Sequence, residues 1–475
     1  MNDPVDARRR RLLGGLAASP LAAGVTGCGR RTGPEITDVG QIDRTIVDRV
    51  LRPASERDIA RALADTRLPV SIGGGRYSMG GQTACPDSLH LDMRDLRRLV
   101  RFDAADRRIR VQAGMRWREL QSLIDPHDLS VAIMQSYSNF TVGGSVSVNC
   151  HGRYVGKGAL VNSLRALRLV TGEGEALELS RDAQPALFAA VAGGYGGLGV
   201  ITEVELDLDR NDRIAREAEF VPLEIYPDWF RRRVLDSGDA VLHNADLSPP
   251  RFDQPLAITW RRSDAALTRT ERLVPEDLDY AREQNLIWAA SELPFGDSVR
   301  KKTLTRSQLH DRPVVRRNLE ASLDADALEP RTRRMSTYLL QEYFVPERHF
   351  AAFARRLQRI LAAHDANVLN VSIRHASADR DTLLAWARQN VFSFVLYHKQ
   401  RNTRSADRAA TVWTRQLIDA VLACEGRYYL PYRPHATREQ FLQAYPEAEA
   451  FAALKARIDP HGRFRNALWD RYLPR

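Results

Sequence analysis

The sequence is poor in lysine and cysteine, and both shortages narrow what the chain can be. Lysine occurs at only five positions, so the formal net charge of +10 over 475 residues comes almost wholly from arginine. The four cysteines lack the paired spacing of a disulfide framework or a zinc site. We therefore expect Cys85, Cys150 and Cys424 to be small buried hydrophobic residues, and we expect no metal site.

Two arginine clusters raise the question of a nucleic-acid partner. Arg231-Arg232-Arg233 and the run from Arg331 to Arg334 carry the required charge. They lack interleaved aromatic residues, so a solvated surface explains them better than nucleic-acid contacts. The chain also has no internal repeat and no low-complexity run.

No apolar run in the N-terminal segment reaches the roughly 20 residues that a membrane-spanning helix needs. Arg8 to Arg11 form a twin-arginine-like cationic region before the short apolar run from Gly14 to Val25. The sequence around Cys28 resembles a bacterial lipobox, in which this cysteine is acylated. We predict a signal peptide with a lipobox over 1–28, a linker over 29–40, and an exported, periplasmic or membrane-anchored lipoprotein. A disordered basic tail or a retained short anchor is the alternative.

Glycine is abundant in three places. The clusters lie at 73–81, at 143–152 and at 193–199, separated by alternating apolar segments. Consecutive glycines let backbone N–H groups approach a ligand and form anion-binding concavities. The three loops together predict a large cofactor that contains phosphate.

The surroundings of the first loop exclude the two common nucleotide motifs. A dinucleotide-binding fingerprint needs a helix directly after the glycines, but here Gln82 to Asp87 lead to a second strand, Ser88 to Asp92. Asp92 falls where a ribose-binding acid would lie, but without the helix this position carries little weight. No Gly-Lys-Ser/Thr follows a spaced glycine, which excludes a P-loop.

Several motifs in order resemble the vanillyl-alcohol-oxidase superfamily, which has a PCMH-type FAD-binding domain. They lie at 72–82, 139–152, 187–203, 436–446 and 459–464. Within that superfamily the chain is most similar to alditol oxidase, to D-arabinono-1,4-lactone oxidase-like enzymes and to decaprenylphosphoryl-ribose oxidase.

The resemblance implies an α+β fold. The FAD-binding domain, built from two α/β subdomains, is expected over 41–210. A cap domain with an antiparallel sheet flanked by helices is expected over 211–432. A C-terminal segment, 433–475, should return to the FAD domain.

Local patterns predict individual elements. Ser55 is a plausible N-cap for an amphipathic helix. The predicted helices are 117–124, 346–361 and 381–388, and the predicted strands are 109–114, 200–208, 338–345, 368–373 and 391–397.

The resemblance also implies which residues hold FAD. They are Gly73, Gly74, Gly75, Arg76, Tyr77, Ser78, Met79, Gly80, Gly81, Gln82, Thr141, Val142, Gly143, Gly144, Val148, Asn149, Cys150, His151, Ile201 and Tyr429. Tyr77 stands where histidyl-flavin members have the histidine that bonds to the flavin, and Tyr137 stands at the cysteinyl position. We therefore expect noncovalent FAD.

The catalytic candidates follow from the same resemblance. His151 can act as an acid or base, or can only position the flavin. One alignment puts Tyr432 at the position of the family's lysine near flavin N1, and the other puts Arg438 there with His435 nearby. Arg433 is a possible substitute for that lysine.

On the cap, Ser372-Ile373-Arg374 keeps the arginine of an acid-x-Arg pair but not the acid. Val395 stands near the position of the alditol base. Glu342 is an alternative acid, although surface ion pairing explains Glu342 or Arg374 equally well at this stage.

The sequence thus predicts an exported FAD-dependent oxidoreductase that oxidises a CH–OH group of a small-molecule sugar, polyol or aldonolactone. Oxygen, a quinone or a periplasmic carrier would reoxidise the flavin. The alternatives are an enzyme acting on a C–C bond of a lipid-like substrate, which a purely apolar cap pocket would favour, and an inactive flavin-binding lipoprotein.

Overall fold

A computed structural model of the chain describes residues 32–292, 306–330 and 332–473. The predicted signal peptide and Cys28 lie outside the described residues. The described strands are β1 Glu35–Thr37, β2 Arg44–Ile46, β3 Arg49–Leu51, β4 Val70–Gly73, β5 Leu89–Asp92, β6 Leu99–Asp103, β7 Arg108–Gln112, β8 Leu129–Val131, β9 Leu164–Val170, β10 Ala176–Ser180, β11 Val200–Arg210, β12 Arg213–Phe220, β13 Ala240–Leu247, β14 Leu256–Arg262, β15 Val314–Arg316, β16 Ser336–Pro346, β17 Val368–Ala376, β18 Val391–Arg401 and β19 Arg427–Tyr428.

The helices alternate with these strands along the whole described chain. They are α1 Glu56–Ala64, α2 Trp117–Ile124, α3 Val142–Ser147, α4 Pro185–Val191, α5 Tyr226–Phe230 (continued by a π-helical turn, Arg231–Leu235), α6 Ala281–Glu292, α7 Arg306–His310, α8 Arg317–Ala321, α9 Phe350–Ala363, α10 Arg404–Leu422, α11 Arg438–Ala444, α12 Ala448–Ile458 and α13 Ala467–Tyr472.

The N-terminal part of the fold contains a small antiparallel sheet, β1-β2, and two larger sheets. Strands β3, β5 and β4 form a parallel sheet, while β10, β9, β11, β7 and β6 form an antiparallel one that β8 joins at β11. Strands β4 and β5 are parallel neighbours, yet an irregular glycine loop, and no crossover helix, connects them. The predicted strand–loop–strand arrangement is therefore confirmed. Helix α1 covers the parallel sheet through Ile59 and Leu63.

A single eight-stranded antiparallel sheet forms the cap, in the order β15-β12-β14-β13-β17-β18-β16-β19. Helices α9 and α10 bury their apolar faces beside it, through residues such as Phe353 and Leu417. The α+β fold and the predicted cap sheet with flanking helices are confirmed.

Ser55 caps α1 as expected, because its hydroxyl accepts a hydrogen bond from the Asp58 N–H at 3.3 Å. The predicted helix over 381–388 is wrong, since this segment consists of turns. Asp379 explains the difference, because its carboxylate accepts from the N–H groups of Asp381 and Thr382 at 2.9 and 3.1 Å. These side-chain bonds fold the chain into a local turn that competes with a helix.

Cys85, Cys150 and Cys424 are buried and unpaired, as expected. The described residues hold no cluster of side chains suited to a metal ion. In the same described part, no helix combines the length and apolar character required to cross a membrane.

The C-terminal segment is bound to the first parallel sheet. The Val70 N–H donates to the Arg463 carbonyl at 2.6 Å, and the Arg465 N–H donates back to the Val70 carbonyl at 2.9 Å. Asp459 shapes the turn that leads there, because its carboxylate accepts from the Arg463 and Phe464 N–H groups at 2.8 and 2.9 Å. It also pairs with the Lys455 ammonium at 2.7 Å.

Replacing Asp459 by Ala should lower the free energy of unfolding by about 2–4 kcal/mol, because it leaves two backbone donors without their acceptor and removes the carboxylate partner of the Lys455 ammonium. Tryptophan fluorescence during guanidinium unfolding measures this change. Glu449→Ala, an exposed position on α12, is the matched control and should be nearly neutral. Equal effects of the two substitutions would contradict the assigned role of Asp459.

Candidate active site

A cavity of about 200 Å³ lies where the first two glycine loops meet the cap sheet. The lining residues come from the glycine loops, the cap strands and the C-terminal segment. They are Val39, Gly74, Gly75, Arg76, Tyr77, Ser78, Met79, Thr83, Gln135, Ser136, Tyr137, Phe140, Thr141, Gly144, Val148, Cys150, His151, Ala325, Leu328, Glu329, Arg333, Tyr338, Leu340, Glu342, Arg374, Val395, Tyr397, Tyr429, Pro431 and Tyr432.

The cap wall of this cavity follows from strand geometry. Alternate residues of a strand point to the same face, so Tyr338, Leu340 and Glu342 of β16 all reach the cavity. In the register of the sheet, Glu342 lies opposite Val395, and Val395 lies opposite Ser372. Glu342 therefore places a carboxylate next to the two positions, Ser372 and Val395, where the sequence comparison found the expected acid and base missing.

Glu342 is the centre of a buried hydrogen-bond group. Its Oε1 lies 2.6 Å from His151 Nε2, and its Oε2 accepts a hydrogen bond from the Tyr432 hydroxyl at 3.3 Å. Glu342 is 2% exposed and His151 4% exposed. Surface ion pairing is therefore excluded as an explanation of Glu342.

The electrostatic surroundings keep the Glu342 carboxylate charged. Burial raises its pKa, but the facing His151 and then Arg374 outweigh burial, so the net pKa lies below its ordinary value. Burial and the same carboxylate raise the pKa of Tyr432 well above its ordinary value, so the phenol stays a proton donor. The hydrogen-bond group around Glu342 thus combines a buried carboxylate, an imidazole and a neutral phenol.

The turn after α3 holds His151 in place. Asn149 adopts φ of +47°, and its side chain donates to Asp379 at 2.8 Å and accepts from the Val161 N–H at 3.1 Å. The Asn149 carbonyl accepts from the Trp386 indole at 2.8 Å. The His151 ring packs between aromatic neighbours that include Trp386 and Tyr429, with centroid distances of 4.9 and 6.0 Å.

The first two glycine loops approach each other closely enough to form a cradle. A Cβ added to Gly74 would lie 2.2 Å from Thr141 Oγ1, so no larger residue fits at Gly74 without moving the loops apart. Arg76 lies beside them. Its Nε is buried and has no hydrogen-bond partner within the described ranges, while its Nη2 donates to Asp92 at 3.2 Å. A glycine cradle next to an unsatisfied guanidinium fits the phosphates of a dinucleotide such as FAD.

Asp92 itself does not face the cavity. It pairs with Arg76 and with Arg94, whose guanidinium lies 2.6 Å from Asp92 Oδ2. Asp92 therefore holds two arginines in place. This agrees with the sequence, in which the missing helix argues against a ribose-binding role for Asp92.

Tyr77 and Tyr137 line the cavity where other members of the superfamily carry covalent tethers. Burial and neighbouring carboxylates raise the pKa of Tyr77 far above its ordinary value, and its ring packs on Phe140 at 4.4 Å. Burial also raises the pKa of the Cys150 thiol, so the reactive thiolate is disfavoured. Neither group is activated as a nucleophile.

The structure brings together all four predicted catalytic residues, His151, Glu342, Arg374 and Tyr432, in one cavity wall. Among the predicted FAD ligands, some lie outside this cavity. They are Gly73, Gly80, Gly81, Gln82, Val142, Gly143, Asn149 and Ile201. Gln82, for example, donates to the carbonyls of Leu430 and Tyr432, both at 2.8 Å, and so ties the first loop to the C-terminal segment.

The third glycine loop also lies away from the cavity. Its carbonyls accept hydrogen bonds from the C-terminal segment: Gly197 from Lys455 at 2.6 Å and Gly194 from the Trp469 indole at 3.1 Å. The loop therefore serves as a docking point for the end of the chain.

The two family alignments put different residues, Tyr432 or Arg438, at the position of the family's lysine, and the structure distinguishes between them. Tyr432 lines the cavity, whereas Arg438 bonds to the Tyr472 carbonyl and His435 to Thr411, both outside it. Arg433 as a substitute for the lysine is wrong. Its guanidinium pairs with Asp43 at 2.7 Å and Asp407 at 3.1 Å and does not line the cavity.

Sequence reasoning missed several lining residues, among them Gln135, Tyr338, Leu340, Tyr397 and Arg333. The period-two pattern of β16 could have identified Tyr338 and Leu340 once Glu342 was singled out. Arg333 lies in an irregular segment, and no local pattern marks it as part of the site.

The chain is similar to known flavoproteins over most of its length. A family model described as an FAD binding domain matches residues 47–180, and one described as D-arabinono-1,4-lactone oxidase matches residues 253–472. Alditol oxidase of a Streptomyces species is 25% identical over 426 residues, which cover 88% of this chain and 94% of that protein.

Two further relatives match mainly over one part. L-gulonolactone oxidase of Bos taurus is 29% identical over 158 residues, covering 33% of this chain and 36% of its own length. Cytokinin dehydrogenase 6 of Oryza sativa subsp. japonica is 29% identical over 248 residues, covering 50% and 43%. The chain therefore spans less than half of these two relatives and nearly all of the alditol oxidase.

Gly74→Ala should weaken FAD binding by at least about tenfold, because the new methyl group forces the two loops apart, and tenfold corresponds to about 1.4 kcal/mol. Titration of the apoprotein with FAD, followed by flavin fluorescence, measures the affinity. In Gly74→Ala/Thr141→Ala the clashing hydroxyl is gone, so affinity should recover in part relative to Thr141→Ala alone. A double variant no better than Gly74→Ala would contradict the steric explanation.

Acid precipitation of the purified protein should leave the flavin in the supernatant, because no tether is activated near the cavity. Absorption spectra of supernatant and pellet measure the distribution, and Tyr77→Phe should behave like the wild type. Flavin that stays in the wild-type pellet and leaves it in Tyr77→Phe would show a tyrosyl bond instead.

Proposed function

Because the chain belongs to the vanillyl-alcohol-oxidase family of FAD-dependent oxidoreductases, we propose that it oxidises a CH–OH group of a sugar, polyol or aldonolactone. The observation that carries this proposal is the buried His151–Glu342 hydrogen bond, with Tyr432 and Arg374 beside it in the cavity. The names of two relatives, alditol oxidase and L-gulonolactone oxidase, support the substrate class.

Alcohol oxidation requires removal of a hydride from carbon and a proton from oxygen. FAD, held by the Gly74–Thr141 cradle, supplies the hydride acceptor when it is bound. The protein must therefore supply the group that takes the proton.

His151 is placed for that task. Its Nε2–H can donate to the Glu342 carboxylate at 2.6 Å, which leaves Nδ1 as the unprotonated nitrogen of the neutral ring. Nδ1 is buried and has no hydrogen-bond partner among the described residues, so it is free to accept the proton of a substrate hydroxyl. Glu342 then stabilises the imidazolium that forms, as the buried carboxylate of a catalytic triad does for its histidine.

Tyr432 and Arg374 supply donors for the substrate oxygen atoms. The Tyr432 phenol stays protonated, and the Arg374 Nε is buried with no hydrogen-bond partner in the described part of the chain. Both groups border the carboxylate, so they can orient a polyhydroxylated substrate against His151. The burial of this group excludes water from the reacting centre and strengthens its electrostatic interactions.

These convergent polar groups disfavour the two alternatives. A lipid-like substrate with a reacting C–C bond would call for an apolar pocket without them. A flavin-binding protein that has lost catalysis would have no need of a buried carboxylate, which costs free energy to keep charged in the interior.

We further propose that the enzyme is exported and anchored through acylated Cys28, and that oxygen, a quinone or a periplasmic carrier reoxidises the flavin. The twin-arginine-like and lipobox-like patterns of residues 8–28 support export. Incorporation of labelled fatty acid into the full chain, and its loss in Cys28→Ala, tests the anchor.

His151→Gln should slow flavin reduction by about 10²–10⁴-fold, the usual contribution of a general base. Glu342→Gln should slow it too, mainly through kcat. The pKa of Glu342 lies below its ordinary value, so the wild-type rate should fall only at acidic pH, where this carboxylate becomes protonated, and Glu342→Gln should lack this fall. Anaerobic stopped-flow absorbance across pH measures each quantity.

A second histidine–glutamate pair, which is partly buried, provides the control. His375 Nε2 lies 2.8 Å from Glu347 Oε1, outside the cavity. Glu347→Gln should leave the rate and its pH dependence nearly unchanged. Equal losses in Glu342→Gln and Glu347→Gln would show that the first substitution acts through folding rather than proton transfer.

A further inference from the structure

A second, larger cleft opens on the other side of the cavity wall. Its volume is about 990 Å³, and seven arginines and three carboxylates line it among the described residues. It lies between the segment around Asp43, the end of β18 and the first turns of α10. The cleft is therefore concave and strongly cationic.

Three of these arginines carry charge that the described part of the chain does not compensate. Arg44, Arg333, Arg401 and Arg433 have carboxylate partners within 4 Å. Arg334, Arg404 and Arg408 are exposed and have none among the described residues. The net positive charge of the cleft is thus available to an anion.

Two of these three arginines, Arg404 and Arg408, lie at the start of helix α10, where a positive charge does not stabilise the helix. Arg404 is the first residue of α10 and Arg408 lies one turn further. Cations near a helix N-terminus oppose the helix dipole, and an acidic residue would be favourable there. Arginines at positions where they lower the stability of the helix indicate a binding role.

The cleft and the active-site cavity share a wall. Glu329 and Arg333 line both, and their side chains form an ion pair at 3.4 Å. Arg433, whose side chain is 9% exposed, also lines the cleft, and its Nε is buried with no hydrogen-bond partner among the residues that the structure describes. An anion in the cleft would find donors there and would compete with Glu329 for Arg333.

We propose that this cleft binds an anionic group of the substrate, a carboxylate or a phosphate monoester, while the CH–OH group to be oxidised lies in the adjoining cavity. This inference rests on the proposed function, because it names the class of alcohol that the site oxidises. Cationic clefts raise the local concentration of anionic substrates and their association rates by about 10–10³-fold at low salt.

Matched pairs of substrates test the proposal. Sorbitol and sorbitol 6-phosphate, and sorbitol and gluconate, differ by one anionic group at the end of the same carbon chain. The anionic member should show a kcat/KM about tenfold or more above the neutral member, and this advantage should shrink as sodium chloride is added. Inorganic phosphate should inhibit the anionic reaction more than the neutral one if the cleft recognises the phosphate group itself.

Arg404→Gln/Arg408→Gln should remove most of the anionic advantage through KM and leave kcat for the neutral member unchanged. The control Arg232→Gln/Arg359→Gln removes the same charge from exposed positions outside the cleft and should keep the advantage. Equal loss in both variants, or no advantage in the wild type, would overturn the cleft proposal while leaving the oxidation of alcohols intact.

Failure of the proposed function has a different signature. If no polyol, lactone or aldonate bleaches the flavin, calorimetric titration with sorbitol 6-phosphate still tests the cleft. Binding that Arg404→Gln/Arg408→Gln weakens about tenfold or more, and Arg232→Gln/Arg359→Gln does not, supports an anion site. Absence of binding, or equal weakening in both variants, contradicts it.

Discussion

A buried carboxylate remains charged only where neighbouring groups replace the water that it has lost. Glu342 is 2% exposed, so the site must supply such groups. These groups come from separate parts of the chain: His151 from the turn after α3, Arg374 from cap strand β17, and Tyr432 from the loop after β19. The glycine loops, the cap sheet and the end of the chain must therefore converge before Glu342 can be accommodated.

This requirement also links cofactor binding to catalysis. The second glycine loop contributes Thr141 to the cradle against Gly74 and, ten residues later, His151 to the carboxylate. The cap lacks the acid and base of alditol oxidase at Ser372 and Val395, but Glu342 lies directly across the sheet from Val395. The chain thus has a buried carboxylate and an imidazole at the cavity, but at other sequence positions than the acid and base of alditol oxidase.

The sequence predicted the parts of the fold that depend on local patterns. The N-cap at Ser55, strand β16 and the strand–loop–strand arrangement around the first glycine loop each depend on a few neighbouring residues, so they were predicted. The turn at Asp379 was not, because Asn149, far along the chain, binds the carboxylate whose bonds to the Asp381 and Thr382 N–H groups compete with a helix over 381–388. For the same reason the sequence could not decide whether Tyr432, Arg433 or Arg438 faces the cavity, since ion pairs with Asp43 and Asp407 hold Arg433 elsewhere.

The central claim is that the cavity oxidises a CH–OH group with His151 as the proton acceptor. The most direct test is anaerobic flavin reduction by a polyol or aldonolactone that carries deuterium on the reacting carbon. The account predicts bleaching of the visible flavin absorbance that slows with deuterium and that His151→Gln slows far more than Glu347→Gln. If a lipid-like substrate bleached the flavin through its C–C bond and no alcohol did, the central claim would be contradicted.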